Sequence, residues 1–353
     1  MIYTASNQMM ASQNPTPLSL AIVGLSFGRH VLDLLQQSSA SRLFKLVAVC
    51  DLQDKLAQEV ATQYNVKAYT SLDQVLQDKS IAVVGLYTQP SGRAKLIQKI
   101  LHAGKDVMTT KPFELEVEAA EAVLLEAQSL RRVIHLNSPC PEPTRDLLQI
   151  QAWAEEFDLG RLVSARGEIW APYFEKADGS WMDDPHLCPG GAMMRLGIYL
   201  INDIIHLAGP VDQTSLIGTR VRTGRPTPDN ALLTMTFASG CLGSVYASFC
   251  VDDGNRYSNG LSLQYERGSI YRNIGKPQGI PKSDTASLSL VMRDGDVRKV
   301  MAEQCLSGVF GVYQWENFHR AVLQRKPIDK AYMAKIVEGV KVLEAMRGHL
   351  AIA

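Results

Sequence analysis

The sequence predicts an α/β fold in two parts, a doubly wound parallel sheet followed by an α+β domain with a large, mostly antiparallel sheet. Three observations carry this. Between residues 18 and 137 short, continuous apolar runs alternate strictly with helix-like segments, as expected of parallel strands buried on both faces. After about residue 140 the alternation gives way to strand pairs joined by tight Gly or Asp-Gly turns, the pattern of hairpins. Finally, 353 residues are long for one core and suit two. The expected division is a tail over 1–16, a first domain over 17–138 and a second over 139–353, with the turn-rich "SPCPEP" at 138–143 between the domains.

In the first domain the strands are read at "LSLAIVG" (18–24), "FKLVAVCD" (44–51), "IAVVGLY" (81–87), "KDVMTT" (105–110) and "RRVIHLN" (131–137). The helices between them are "RHVLDLLQQ" (29–37), "DKLAQEVATQY" (54–64), "SGRAKLIQKILHAG" (91–104) and "ELEVEAAEAVLLEAQSL" (114–130). The last places Val117, Ala120, Val123, Leu124 and Ala127 on one amphipathic stripe. In the second domain a helix ("PTRDLLQIQAWAEEFDLG") leads to a strand ("RLVSARGEIWA"), a Gly/Pro-rich loop ("DGSWMDDPHLCPGG") and an apolar helix ("AMMRLGIYLINDIIHLAG"). Three hairpin-like runs follow, and "YQWENFHRAVLQRKP" with "MAKIVEGVKVLEAMRG" closes the chain as helix.

Composition narrows the function. A hydrophobic fraction of 46% with 20% charged residues marks a soluble globular chain rather than a disordered one. Thirty-six basic and 36 acidic residues cancel, which leaves no electrostatic case for nucleic acid or an anionic membrane. No apolar run approaches the roughly 20 residues of a membrane helix. The N-terminal "MIYTASNQMMASQNPTP" does not read as a signal peptide. The six cysteines form no CxxC pair, so reduced structural thiols in the cytoplasm are expected. The seven histidines do not cluster, and His186 with Cys188 makes only half a metal site, so no metal is expected.

The first strand-to-helix junction, "AIVGLSFGRHVLDLL", is a candidate nucleotide turn. A dinucleotide fingerprint uses glycines for the turn and for close approach of a pyrophosphate to a helix N-terminus. Gly24 and Gly28 fit in part, while Ser26 takes the second glycine place and Arg29 the third. Gly24, Ser26, Phe27 and Gly28 are therefore candidate cofactor contacts. Asp51, at the end of the second strand, is placed either to accept the ribose hydroxyls or to cap the following helix. A carboxylate there repels a 2′-phosphate, which favours NAD while leaving NADP possible. Thr88, Gln89 and Pro90 end the third strand and should line the same cleft.

These residues, with "HAGKDVMTTKPFE" and "PGGAMMRLGIYLINDIIHLAGP", resemble the glucose–fructose oxidoreductase / inositol dehydrogenase (Gfo/Idh/MocA) family. Members typically read "AGKHVLCEKP" and "GGALLDLGIHLID" at these two places. The resemblance covers nearly all of the chain beyond the tail. It implies a Rossmann domain, a C-terminal sheet domain used for homodimer or homotetramer contacts, and hydride transfer between nicotinamide and a sugar or polyol. Carried over, Lys111 contacts the reacting hydroxyl and the nicotinamide ribose, with Pro112 beside it. Its ammonium would stabilise developing alkoxide character.

Two departures stand out. Arg195 and Tyr199 replace the family's aspartate and histidine, and Thr110 replaces the glutamate before the lysine. A phenol serves as general acid/base if its pKa is lowered. Arg195, one turn away, is expected to favour that, or else to bind an anionic substrate. Trp170, Tyr173 and Trp181 are candidate aromatic walls, with Asp183 and His186 as further substrate contacts and His206 as structural. The function implied is an NAD(P)-dependent oxidoreductase with a sugar-like small-molecule substrate. The alternatives are an NAD-using glycosidase working by transient oxidation, or a non-catalytic NAD(P)/sugar-binding regulator.

Overall fold

The structure, a computed structural model, describes residues 16–254, 257–274, 285–307 and 312–352. Its first sheet is built from β1 (Leu18–Val23), β2 (Phe44–Cys50), β3 (Lys67–Tyr69), β4 (Val83–Leu86), β5 (Asp106–Thr109) and β6 (Ile134–Leu136). The order is β3-β2-β1-β4-β5-β6, and every pair is parallel. The strand order reverses between β1 and β4, and the loops at the carboxyl ends of those strands form the crevice where such sheets bind ligands. The short β3, "KAY", is not in the sequence reading, because three half-exposed residues give no apolar run to detect.

The helices α1 (Leu25–Gln37), α2 (Asp54–Tyr64), α3 (Leu72–Gln77), α4 (Arg93–His102) and α5 (Val117–Ser129) provide the crossovers. The stripe expected on α5 is real, since Ala120, Val123, Leu124 and Ala127 are its buried residues. Helix α1 begins directly at Leu25, four residues earlier than the sequence suggests, so the turn at Gly24 is as tight as a helix start allows.

The second sheet has nine strands among the described residues: β7 (Leu162–Trp170), β8 (Val211–Thr219), β9 (Asn230–Phe237), β10 (Leu242–Ser248), β11 (Ser258–Tyr265), β12 (Gly268–Ile274), β13 (Thr285–Asp294), β14 (Val297–Ser307) and β15 (Leu350–Ile352). They run β14-β13-β12-β11-β7-β10-β9-β8-β15, antiparallel except for β7 with β10 and β8 with β15. The three expected hairpins are β9–β10, β11–β12 and β13–β14.

Helix α6 (Arg145–Glu156) opens the second half, and α7 (Ile198–Ala208) packs on the inner face of the sheet. A side chain at Gly167 of β7 would come within 2.9 Å of Leu200, so glycine lets α7 sit close. The chain then returns to the first sheet. From α8 (Trp315–Gln324), Trp315 and Phe318 pack against Phe44, with ring centroids 5.1 and 6.1 Å away. Helix α9 (Lys330–His349) spans both cores, with Ile336 and Val340 in the first and Leu343 and Met346 in the second. Truncating Phe318, which is fully buried, should cost about 3–5 kcal/mol.

Candidate active site

The nucleotide turn is defined by backbone. Gly24 has φ +85°, and its amide donates to the Cys50 carbonyl at 2.9 Å. A Cβ on Gly24 would lie 2.8 Å from the Tyr87 carbonyl oxygen, and one on Gly28 would lie 2.8 Å from Ile22 Cγ2. Left-handed backbone and close approach of helix to strand are two of the three jobs glycine does in a dinucleotide fingerprint, the third being close approach of the pyrophosphate. Ser26 and Arg29 are exposed on α1, and Phe27 is 43% exposed with its ring 6.2 Å from that of Tyr87. The Asp51 carboxylate is held by backbone amides: Oδ2 accepts from Leu25 N at 2.8 Å, and Oδ1 accepts from Gln53 N at 2.9 Å. This ties the β1 and β2 turns together and fixes the carboxylate. At the end of β4, Gln89 is exposed, Pro90 is buried, and the hydroxyl of Thr88 is buried with no partner among the described residues. The glycine cradle and this orphaned hydroxyl fit a dinucleotide lying along the turn.

The loop after β5 that carries Lys111 is held by groups the sequence reading missed. Arg93, buried at the start of α4, donates to the carbonyls of Thr110 (2.6 Å), Pro112 and Thr88. Glu114 answers from the far side of the loop, accepting from Gly92 N (3.2 Å) and Ala94 N (2.8 Å) at the N-terminus of α4, where the helix dipole favours an anion. Asn137, the first residue beyond β6, is the third brace. Its Oδ1 accepts from Lys111 N at 3.0 Å and Thr110 Oγ1 at 3.2 Å, and its Nδ2 donates to the Tyr199 hydroxyl at 3.2 Å. A polar residue at the carboxyl end of a buried strand was the available signal for Asn137. Nothing local marks Arg93 as buried.

Lys111 and Tyr199 meet across the two halves. Lys111 Nζ stands 4.4 Å from the centroid of the Tyr199 ring and donates to the backbone carbonyl of Arg195. Burial, then the nearby Arg195 and Arg93 cations, bring the Lys111 pKa down to about 7. Tyr199 moves the other way: burial first, with Tyr313 nearby, raises its phenol above the ordinary value, and the Asn137 hydrogen bond offsets only part.

This corrects the expectation that Arg195 favours the phenolate. Met193–Gly197 forms a π turn running into α7, and the groups that shift the Tyr199 phenol do not include Arg195. The Arg195 guanidinium instead binds Glu175 through two bonds of 2.6 and 2.7 Å, and it lies over the rings of Phe249 (4.8 Å) and Tyr173 (5.5 Å). Glu175 also approaches Arg225 at 3.4 Å. Arg225 is further paired with Asp178 (3.0 Å) and Asp183, so this loop is braced by ions rather than open.

The remaining expected contacts divide. Tyr173 stacks on Phe249 at 4.9 Å, close to Arg195, and Trp181 is half-buried against the second core. Trp170 is a correction. Along β7, Ala165, Gly167 and Ile169 are the buried positions, with Gly167 against α7, so by strand alternation Trp170 lies on the other face, its indole Nε1 buried with no partner among the described residues. Asp183 braces Arg225 and accepts from the amides of Asp178 and Gly179. His186 is exposed.

Comparison with known proteins matches both halves of the chain. The family described as "Oxidoreductase family, NAD-binding Rossmann fold" matches residues 18–138, and "GFO/IDH/MocA C-terminal domain" matches residues 147–271. An uncharacterized oxidoreductase of Schizosaccharomyces pombe is 27% identical over 198 residues, 55% of this chain and 52% of that protein, so the chain spans about half its length. The trans-1,2-dihydrobenzene-1,2-diol dehydrogenase of Oryctolagus cuniculus is 27% identical over 237 residues, 64% of this chain and 66% of that one. A levoglucosan dehydrogenase solved with NADH has the same fold, with TM-score 0.72 at 16% identity over 94% of this chain and 96% of that chain. With both of its domains matched in order, the chain belongs to the GFO/IDH/MocA oxidoreductase family.

Proposed function

We propose that this chain is an NAD-dependent dehydrogenase or reductase, with NADP as the second choice, acting on a hydroxyl or carbonyl group of a sugar, cyclitol or related compound. The observation that carries this reading is the meeting of Lys111 and Tyr199, braced by Asn137, at the carboxyl edge of the sheet that bears the nucleotide turn. Nicotinamide, when bound, supplies or accepts the hydride. The Gly24–Gly28 turn and Asp51 hold the nucleotide, and the Asp51 carboxylate, fixed by two amides, disfavours a 2′-phosphate. Thr88, Gln89, Pro90 and Pro112 line the same edge.

Lys111 polarises the reacting oxygen as an ammonium, and Tyr199 hands a proton to or from that oxygen. The phenol is held neutral by burial, so it works by passing a proton on rather than by resting as a phenolate. The charge of Arg195 is matched by Glu175, which supports a neutral, polyhydroxylated substrate over an anionic one. Tyr173 and Trp181 supply aromatic surface nearby.

Two wider expectations join the proposal. On the open face of the second sheet, Ile217 and Leu232 are register partners and 50% and 43% exposed, which supports a homodimer or homotetramer formed there. All six cysteines are free, which supports a reducing, cytoplasmic setting. No helix among the described residues is long and apolar enough to cross a membrane.

The test is a panel of D-glucose, D-xylose, myo-inositol and levoglucosan with NAD and NADP, followed by nicotinamide absorbance. Turnover with NAD on at least one of them, lost in Lys111→Ala while nucleotide binding persists, is the expected result. Tight nucleotide binding with no redox turnover on any of them would point to the regulator instead.

A further inference from the structure

Helix α7 is apolar except along one line. Ile198, Leu200, Ile201, Ile204, Ile205 and Ala208 are buried, whereas Tyr199, Asn202, Asp203 and His206 follow the i, i+3, i+4, i+7 spacing that puts four residues on one helix face. That face lines an internal cavity, with Cys140 on the loop after β6 and Lys335 on α9 among the opposing walls. Its lining is largely apolar but carries unsatisfied polar atoms. The His206 Nε2 and Asn202 Oδ1 atoms are buried with no partner among the described residues, the kind of wall that holds ordered water. Tyr199 and Asn137 are among its walls, as are the half-buried His206 and Lys335.

Resting on the function proposed above, we infer that this cavity is a proton relay and that Asp203 is its carboxylate, joining the Tyr199 hydroxyl to solvent beside His206 and Lys335. With nicotinamide bound as the oxidant, the hydrogen of the substrate C–H bond would leave with its electron pair to that group. The substrate O–H bond breaks as well, and its proton bonds to the Tyr199 oxygen while that oxygen releases its own proton to a cavity water. The water passes a proton to Asp203, which returns it to solvent. Reduction runs the same chain inward. The phenol is neutral before and after, so its burial is no obstacle.

Two carboxylates share the buried Arg272 Nη1, Asp146 at 2.8 Å and Asp203 at 2.7 Å, but Asp146 is fully buried while Asp203 is 19% exposed and lines the cavity. The ionisable groups around Asp203 are Arg272 from β12 and Asp146 from α6, with Tyr199 and His206 from α7, Cys140, and Lys335 from α9 in the cavity wall. Burial and the Asp146 charge, against the pull of Arg272, bring the Asp203 pKa up to about 6. A group poised near neutrality suits proton exchange.

The test needs two readouts on the intact protein. Infrared titration should show a carboxyl protonating near pH 6 that is missing in Asp203→Asn. With whichever of D-glucose, myo-inositol and levoglucosan is oxidised fastest, Asp203→Asn should slow oxidation about 10-fold or more, change its pH profile and raise its solvent deuterium isotope effect, with Asp203→Glu restoring most of the rate. Asp203→Asn also weakens the Arg272 cluster, so His206→Leu provides an independent variant, since its Nε2 has no partner among the described residues to lose. It should slow oxidation several-fold, because an apolar side chain there removes the polar wall that holds the cavity water. If the carboxyl titration persists in Asp203→Asn, or if both variants leave the isotope effect and pH profile unchanged, the relay is wrong. If Lys111→Ala still turns over, it is the underlying reading of the site that has failed.

Discussion

The two edges of the cleft are made differently. The nucleotide edge is backbone: a left-handed Gly24, a helix starting at Leu25, and an Asp51 whose oxygens are engaged by two amides. Every part of it comes from two adjacent βα units. The Lys111 edge is side chains: a lysine after β5, an asparagine after β6, a tyrosine on α7 and a carbonyl in a π turn, brought together from both halves. Damage to the first edge should therefore appear as lost nucleotide affinity and stability, and damage to the second as lost rate with binding intact.

Lys111→Met offers the largest separation. We expect the rate to fall by about 10²–10³-fold, the scale on which oxyanion stabilisers act, with nucleotide affinity within a few-fold of the parent by calorimetry. The same variant should be more stable, not less, at neutral pH. A lysine whose folded pKa lies near 7, below its unfolded value, makes folding increasingly favourable as pH rises from about 7 toward about 10.5. Removing it should flatten that part of the pH–stability curve in urea titrations. In the reductive direction the parent rate should decline as pH rises through about 7, as the ammonium is lost.

Tyr199→Phe should cost about 10²-fold in rate and leave the lysine in place. Gly24→Ala should do the opposite. A Cβ 2.8 Å from the Tyr87 carbonyl on left-handed backbone costs about 1–3 kcal/mol of stability, and nucleotide Kd should rise far more than kcat falls. If Gly24→Ala instead lowered kcat at unchanged Kd, the division between the two edges would not hold.

The same contrast explains what could be read in the chain. The parallel sheet, its alternation with helices and the nucleotide turn are local patterns, so "AIVGLSFG" and "VCD" were sufficient to place Gly24, Gly28 and Asp51. Lys111 and Tyr199 were found through motifs, and the fold brings them together. What failed depended on geometry that no motif carries. The expected action of Arg195 on Tyr199 left out Glu175, which takes the guanidinium through two hydrogen bonds. The placing of Trp170 ignored which face of β7 the buried alternation selects. Arg93, Glu175 and Arg225 gave no sign, because a charged residue in sequence looks the same whether it is solvated or locked into a buried ion pair.

That last group supplies the smallest effect and the finest probe of the Lys111 edge. Arg195 acts on Lys111 as a cation, one of the reasons the lysine loses its proton so easily, and Glu175 stands across the guanidinium at 2.6 Å with its side chain 32% exposed. Removing the carboxylate charge unmasks Arg195 and disfavours a second cation beside it. Glu175→Gln should therefore lower the Lys111 pKa by a few tenths of a unit, moving the decline in reductive rate to lower pH. The shift should shrink in high salt, because the pair is partly open to solvent. The stability cost should stay near about 1 kcal/mol, as for other partly exposed ion pairs. The pH–rate inflection, measured in parent and variant at two ionic strengths, decides it. An inflection that moved upward would mean that Glu175 acts on Lys111 through position rather than charge, and the account of Arg195 as the lysine's electrostatic neighbour would have to be replaced.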